Sequence, residues 1–194
     1  MSPAVTARAA SLLLRYPDDH VLGAVPLILD ALPELPAGIA EGLGRVAAHR
    51  AGAEPGRLRA EYVDRFDFRR RSSLHLTYYT CGDTRKRGEA LAGFAAAFKA
   101  SGYEVVDGEL PDYLPAVLDL AAADDTGWRL LRENRIGLDL LARSLEQSVY
   151  RHAVEAVRAL LPAPAPGDLD AVTILARTGP PAEQVGLQPF GSFR

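Results

Sequence analysis

Apolar residues recur at helical spacing along most of this chain. Val5, Leu12, Leu13 and Tyr16 give residues 4–16 one apolar face, and Pro17 closes that first helix. Asp18-Asp19 opens a second helix carrying Val21, Leu22, Val25 and Leu29. Pro33 and Pro36 mark the connection to another over 39–49, weakened by Gly38, Gly42 and Gly44. After a loop over 52–56, Leu58, Tyr62 and Phe66 stand four apart and stack on one helical face. Ser72 or Ser73 is placed to cap a short helix through Leu74 to Tyr79, Gly82 to end it, and Asp83 to cap the next. That next helix carries Leu91, Phe94 and Phe98, with Gly102 as its stop.

A loop over 107–109 leads to Pro111 as the first position of a helix with Leu114, Val117, Leu118 and Ala121 on one face. Leu138, Leu141, Leu145 and Val149 predict one long helix starting near Trp128. Val154, Val157 and Leu161 predict a last one over 150–161. The remainder, 162–194, is rich in Pro and Gly, holds one short apolar stretch from Val172 to Leu175, and reads as a flexible, extended tail. No internal repeat and no strand alternation interrupts the pattern. The expected architecture is an all-α, single-domain helical bundle over 1–161 with a largely irregular tail over 162–194.

Composition agrees with that pattern. A chain of 194 residues with 48% hydrophobic and 24% charged residues can bury one sizeable core. Ala and Leu outnumber the β-branched residues, which favours helices. A formal net charge of −3 argues against a nucleic-acid binder. The apolar run Leu12 to Leu14 is too short for a signal peptide or for a membrane span of about 20 residues. The expectation is therefore a cytoplasmic protein with no direct membrane insertion. The single cysteine, Cys81, cannot form an internal disulfide.

Catalytic signals are sparse. No glycine loop is present to cradle phosphates. His20, His49, His75 and His152 are scattered, and neither a metal nor a cofactor site is expected. Cys81 lies near three cations and a helix start, but no base or oxyanion hole accompanies it, so it reads as a turn residue. Asp18-Asp19 and Asp124-Asp125 stand at helix boundaries and read as caps.

One segment, 61–88, does stand out. Two basic triplets, Arg69-Arg70-Arg71 and Arg85-Lys86-Arg87, flank an apolar and aromatic stretch and hold six of the chain's 22 Lys and Arg residues. They form either a solvated face, neutralised in cis by Asp64, Asp67 and Asp83, or a rim for an acidic or phosphate-bearing group at a helix start. Tyr62, Phe66, Phe68, Tyr78 and Tyr79 fit either a core or the lining of a half-open groove for an amphipathic helix or apolar peptide.

Two motifs carry a family resemblance. The run from Arg69 through Leu76, followed by Gly82-Asp83-Thr84-Arg85-Lys86-Arg87-Gly88, resembles the respiratory nitrate reductase assembly chaperones, the NarJ or delta-subunit family. Glu109-Leu110-Pro111-Asp112-Tyr113-Leu114-Pro115 is similar to that family's L-P-D-H-L-P signature, with Tyr113 where the family usually has His. The resemblance implies an all-α fold of the TorD type and no catalysis. It implies binding of the N-terminal segment of the apo nitrate reductase catalytic (alpha) subunit while the molybdenum cofactor is inserted, before membrane docking. Molybdenum cofactor biosynthesis proteins enter as accessory partners. Pro111 and Asp112 would then shape the peptide groove, and the expected peptide-binding set is Tyr62, Phe66, Arg70, Leu74, Tyr78, Arg85, Arg87, Pro111, Asp112 and Tyr113. Two other classes stay open: a small anion- or nucleotide-binding enzyme using the Arg85 to Arg87 helix start, and a nucleic-acid-binding regulator, against which the acidic balance speaks.

Overall fold

A computed structural model describes residues 3–106 and 108–182. Asp107 and the last residues of the tail, 183–194, lie outside the described residues. The chain forms an all-α bundle. Helix α1 (Pro3–Leu14) sits at its centre, with α4 (Ala37–Gly52), α8 (Leu114–Ala123) and α11 (Arg151–Arg158) packed around it. Leu13, Leu14, Leu43, Leu114, Leu118 and Val154 are fully buried on these helices. Ser11 donates its hydroxyl to the Pro115 carbonyl at 2.9 Å, tying α1 to the first turn of α8.

Between α1 and α4 the chain makes two short helices, α2 (Asp19–Gly23) and α3 (Val25–Ala31), followed by a 3-10 turn over Leu32–Glu34. Asp18 caps α2, accepting the Val21 N–H at 2.7 Å. After α4 comes α5 (Pro55–Tyr62), which runs into a widened π turn over Val63–Asp67. That turn keeps Phe66 inward, its ring 4.7 Å from Tyr62 and 5.2 Å from Tyr150. The chain then passes a 3-10 turn over Arg70–Ser72 into α6 (Tyr78–Cys81) and α7 (Arg85–Ala100).

Several expectations need correction. The helix expected through Leu74 to Tyr79 starts only at Tyr78, because Leu74 to Thr77 bond instead to a distant segment. The Leu114 N–H donates to the Leu74 carbonyl at 2.8 Å and the Leu76 N–H to the Asp112 carbonyl at 3.0 Å, making an isolated antiparallel bridge between His75 and Tyr113. For the same reason Pro111 is not a first helical residue, and α8 begins at Leu114. Thr84 rather than Asp83 stands at the N-cap of α7, since the Asp83 carboxylate turns to Arg70 and Arg87.

The single long helix expected from Trp128 is two, α9 (Asp125–Glu133) and α10 (Arg135–Ser144), broken where the Asn134 side chain donates to the Leu130 carbonyl at 2.9 Å. The tail expected to be irregular contains α12 (Pro166–Thr178), packed on α10. Pro166 opens it, and the Asp168 carboxylate accepts the Ala165 N–H at 3.1 Å, satisfying a donor at its start. None of these helices is long and apolar enough to cross a membrane among the described residues.

Candidate functional site

The two motifs singled out in the sequence meet at one carboxylate. Asp112 is fully buried, and its oxygens accept from the Thr77 N–H at 3.1 Å, from the Thr77 hydroxyl at 2.5 Å and pair with His75 Nδ1 at 3.1 Å. Burial alone would raise its pKa, but the bonds from His75 and Thr77 outweigh that and hold the carboxyl below its ordinary value. Asp112 therefore acts as a clamp on the loop 74–77, and does not cap α8.

Gly137 of α10 makes room for that loop. The carbonyl of Leu76 lies so close that a Cβ at this position would collide with it. A glycine in a helix interior is otherwise unfavourable, so close approach is what it serves here.

Beside the clamp runs a groove of about 220 Å³. Phe98, Val105, Ala116 and Leu120 form its apolar floor, and Tyr113 closes one end. Its rim is acidic, with Glu104, Glu109 and Asp119, although Asp119 is paired with Arg8 and Arg15. Tyr103, Val106 and Leu110 stay substantially exposed around it. The Tyr113 hydroxyl meets that of Tyr62 at 3.2 Å, and Tyr62 donates onward to the Leu14 carbonyl at 3.1 Å. Burial pushes both phenols up, so they stay neutral and act as hydrogen-bonding ends of apolar side chains.

The ten residues expected to bind a peptide do not all share a surface. Tyr62, Phe66 and Leu74 belong to the core and Asp112 lies beneath it; these four can only support a groove wall. Tyr113 lines the groove, with Pro111 two residues before it in the half-buried turn. Arg70, Tyr78, Arg85 and Arg87 lie around the start of α7, away from the residues lining the groove.

Three of the six cations in the basic triplets are paired in cis, with two carboxylates between them. Arg69 pairs with Asp64 at 2.8 Å, Arg70 with Asp83 at 3.3 Å and Arg87 with Asp83 at 3.4 Å, while the Arg87 guanidinium also lies over the Tyr78 ring at 5.9 Å. Sequence reasoning missed Phe98, Glu104 and Asp119 as groove residues. The available signals were an apolar run, Tyr103 to Val106, outside any helix, and one acidic residue inside the apolar stretch 114–123.

It also missed a buried cation. Arg50 is 2% exposed, donates Nη2 to the Arg15 carbonyl at 2.6 Å and lies over the Tyr150 ring at 5.5 Å. Burial lowers its pKa.

A family model described as nitrate reductase delta subunit matches residues 32–159. The chain belongs to that family. The chain is 38% identical over 157 residues to the nitrate reductase-like protein NarX of Mycobacterium tuberculosis, a match covering 79% of the chain and 24% of NarX. It is 34% identical over 120 residues to the probable nitrate reductase molybdenum cofactor assembly chaperone NarJ of Bacillus subtilis, covering 61% of the chain and 65% of that protein. It is 30% identical over 149 residues to the nitrate reductase molybdenum cofactor assembly chaperone NarJ of Escherichia coli, covering 74% of the chain and 63% of that protein. The chain thus spans about a quarter of NarX and somewhat under two thirds of each NarJ. The matched residues include the clamp, the groove and the start of α7; α12 lies beyond them.

Proposed function

We propose that this chain is a cytoplasmic assembly chaperone and not an enzyme. It binds the N-terminal segment of the apo nitrate reductase catalytic (alpha) subunit and holds it while the molybdenum cofactor is inserted, before membrane docking. The observation that carries the reading is the apolar groove ending at Tyr113, whose wall is set by the buried Asp112 clamp. A concave apolar floor with a polar rim suits an amphipathic peptide. The names printed for the NarJ relatives support the same role. A carboxylate at the start of α7, Asp83, already engages Arg87 and Arg70, which speaks against an anion- or nucleotide-binding enzyme at Arg85 to Arg87.

The test is titration calorimetry of the full chain with a synthetic peptide of the first residues of the cognate catalytic subunit. Saturable binding is expected, together with co-purification of the catalytic subunit that is lost when its N-terminal segment is removed. Absence of heat across the neutral pH range, with co-purification unaffected by that deletion, would sink the proposal.

A further inference from the structure

The segment after α11 crosses the bundle as a strap. Leu161 and Pro162 leave the core, the Pro162 carbonyl being held by Arg135 at 2.8 Å. A Pro-Ala linker then leads into α12, and beyond Gly179 the chain turns back so that the Pro181 carbonyl lies against Gly82. Gly82 has φ 57° and no room for a Cβ, so the strap ends directly on the turn between α6 and α7.

The strap is poorly seated. Val172 is its only buried residue between 166 and 178, whereas Leu169 and Ile174 are 53% and 60% exposed. Clefts open to solvent run beside it: about 90 Å³ at Pro164, 370 Å³ at Leu169 and Val172, 220 Å³ at Leu175 and Gly179, and 400 Å³ at Pro181. So little buried apolar contact leaves the helix weakly held on the bundle.

What the strap covers has a definite chemistry. Leu140 and Tyr79 form an apolar floor, and Arg71 and Arg143 flank it at the C-terminal end of α12. Neither arginine makes an ion pair among the described residues. Two cations there complement the carbonyl end of a helix dipole, and they complement carboxylates equally well.

We propose that α12 is a releasable internal ligand. It occupies a docking surface on α10 which, once vacated, takes an acidic amphipathic helix of a partner protein. The pattern fits helix-in-groove recognition, with apolar anchors at the spacing of Val172 and Leu175 and a negatively charged end set between Arg71 and Arg143. This surface is separate from the groove at Tyr113, so it stands or falls independently of peptide binding there.

The experiment uses the full chain and two readouts. In hydrogen exchange, amides of 166–178 should exchange at least about tenfold faster than those of 135–144, marking an opening confined to the strap. Val172→Asp should then release α12. A labelled peptide copying residues 163–182 with Arg177→Glu, which places an acidic end between Arg71 and Arg143, should bind the Val172→Asp chain at least about tenfold tighter than the wild type, whose seat is occupied, and tighter than the same peptide with Arg177 kept. Equal exchange rates in α12 and α10 would overturn the proposal. So would a Val172→Asp chain that loses its helical fold, since α12 would then be a pillar of the bundle, or one that folds but does not take the peptide.

Discussion

Replacing Asp112 by alanine removes a carboxylate that serves three donors at once. A bond to a charged group contributes about 1.5–3 kcal/mol, and each buried donor left unpaired costs about 1–3 kcal/mol. Those losses overlap, because the Thr77 N–H and hydroxyl share one oxygen, so the expected cost is about 4 kcal/mol. For a chain of this size that lowers the melting temperature by about 8–16 °C. Asp112→Asn keeps the volume and one acceptor but turns an amide N–H toward a donor, and should cost about half as much.

The pH dependence has a definite sign. The folded carboxyl titrates below its ordinary value, so its stabilisation is fully present above about pH 4 and is lost as pH falls through the lowered folded value. The stability gap between wild type and Asp112→Asn, read from urea unfolding, should therefore close in acid and stay open near neutrality. A loss under about 1 kcal/mol for Asp112→Ala, or a gap that widens in acid, would refute the clamp.

Gly137→Ala, which in an ordinary helix would gain up to about 1 kcal/mol, should instead cost about 2 kcal/mol and loosen the loop 74–77; chemical denaturation and amide exchange at Leu76 check both. Arg70→Ala should change stability by less than about 0.5 kcal/mol in thermal melts, because its pair with Asp83 is exposed on both sides. Ala116→Glu puts a charge on the groove floor and should abolish calorimetric binding of the catalytic-subunit peptide while leaving the circular dichroism spectrum unchanged.

Helical periodicity located the bundle well wherever a face is long and buried, as with Leu114, Val117, Leu118 and Ala121. It failed where a partner far along the chain decides local structure. Leu74 to Tyr79 looks helical by itself, and nothing nearby reveals that a carboxylate 35 residues away takes the Thr77 donors. Asn134 breaks a helix that the leucine spacing alone continues, since its side chain competes for a backbone carbonyl. The start of α12 was legible in Pro166 and Asp168 but masked by the surrounding Pro and Gly content. The motif around Pro111 and Asp112 adjoins Tyr113, which lines the groove. The side chains that line its floor could not be read, because Phe98 and Ala116 lie on different helices and face one groove only in the folded chain.

The bridge between His75 and Tyr113 also closes the neck of a long excursion. Everything from Tyr78 to Leu110, α6 and α7 included, leaves and re-enters the bundle through that one pair of segments. Between 85 and 100 only Phe94, Ala97 and Phe98 are fully buried. Beyond that neck the excursion is fastened where α6 meets α10 and α7 meets α9, and it brings Phe98 to the groove floor. Changes of length within 101–106, past the last buried residue of α7, should spare the core and would reset the width of the groove.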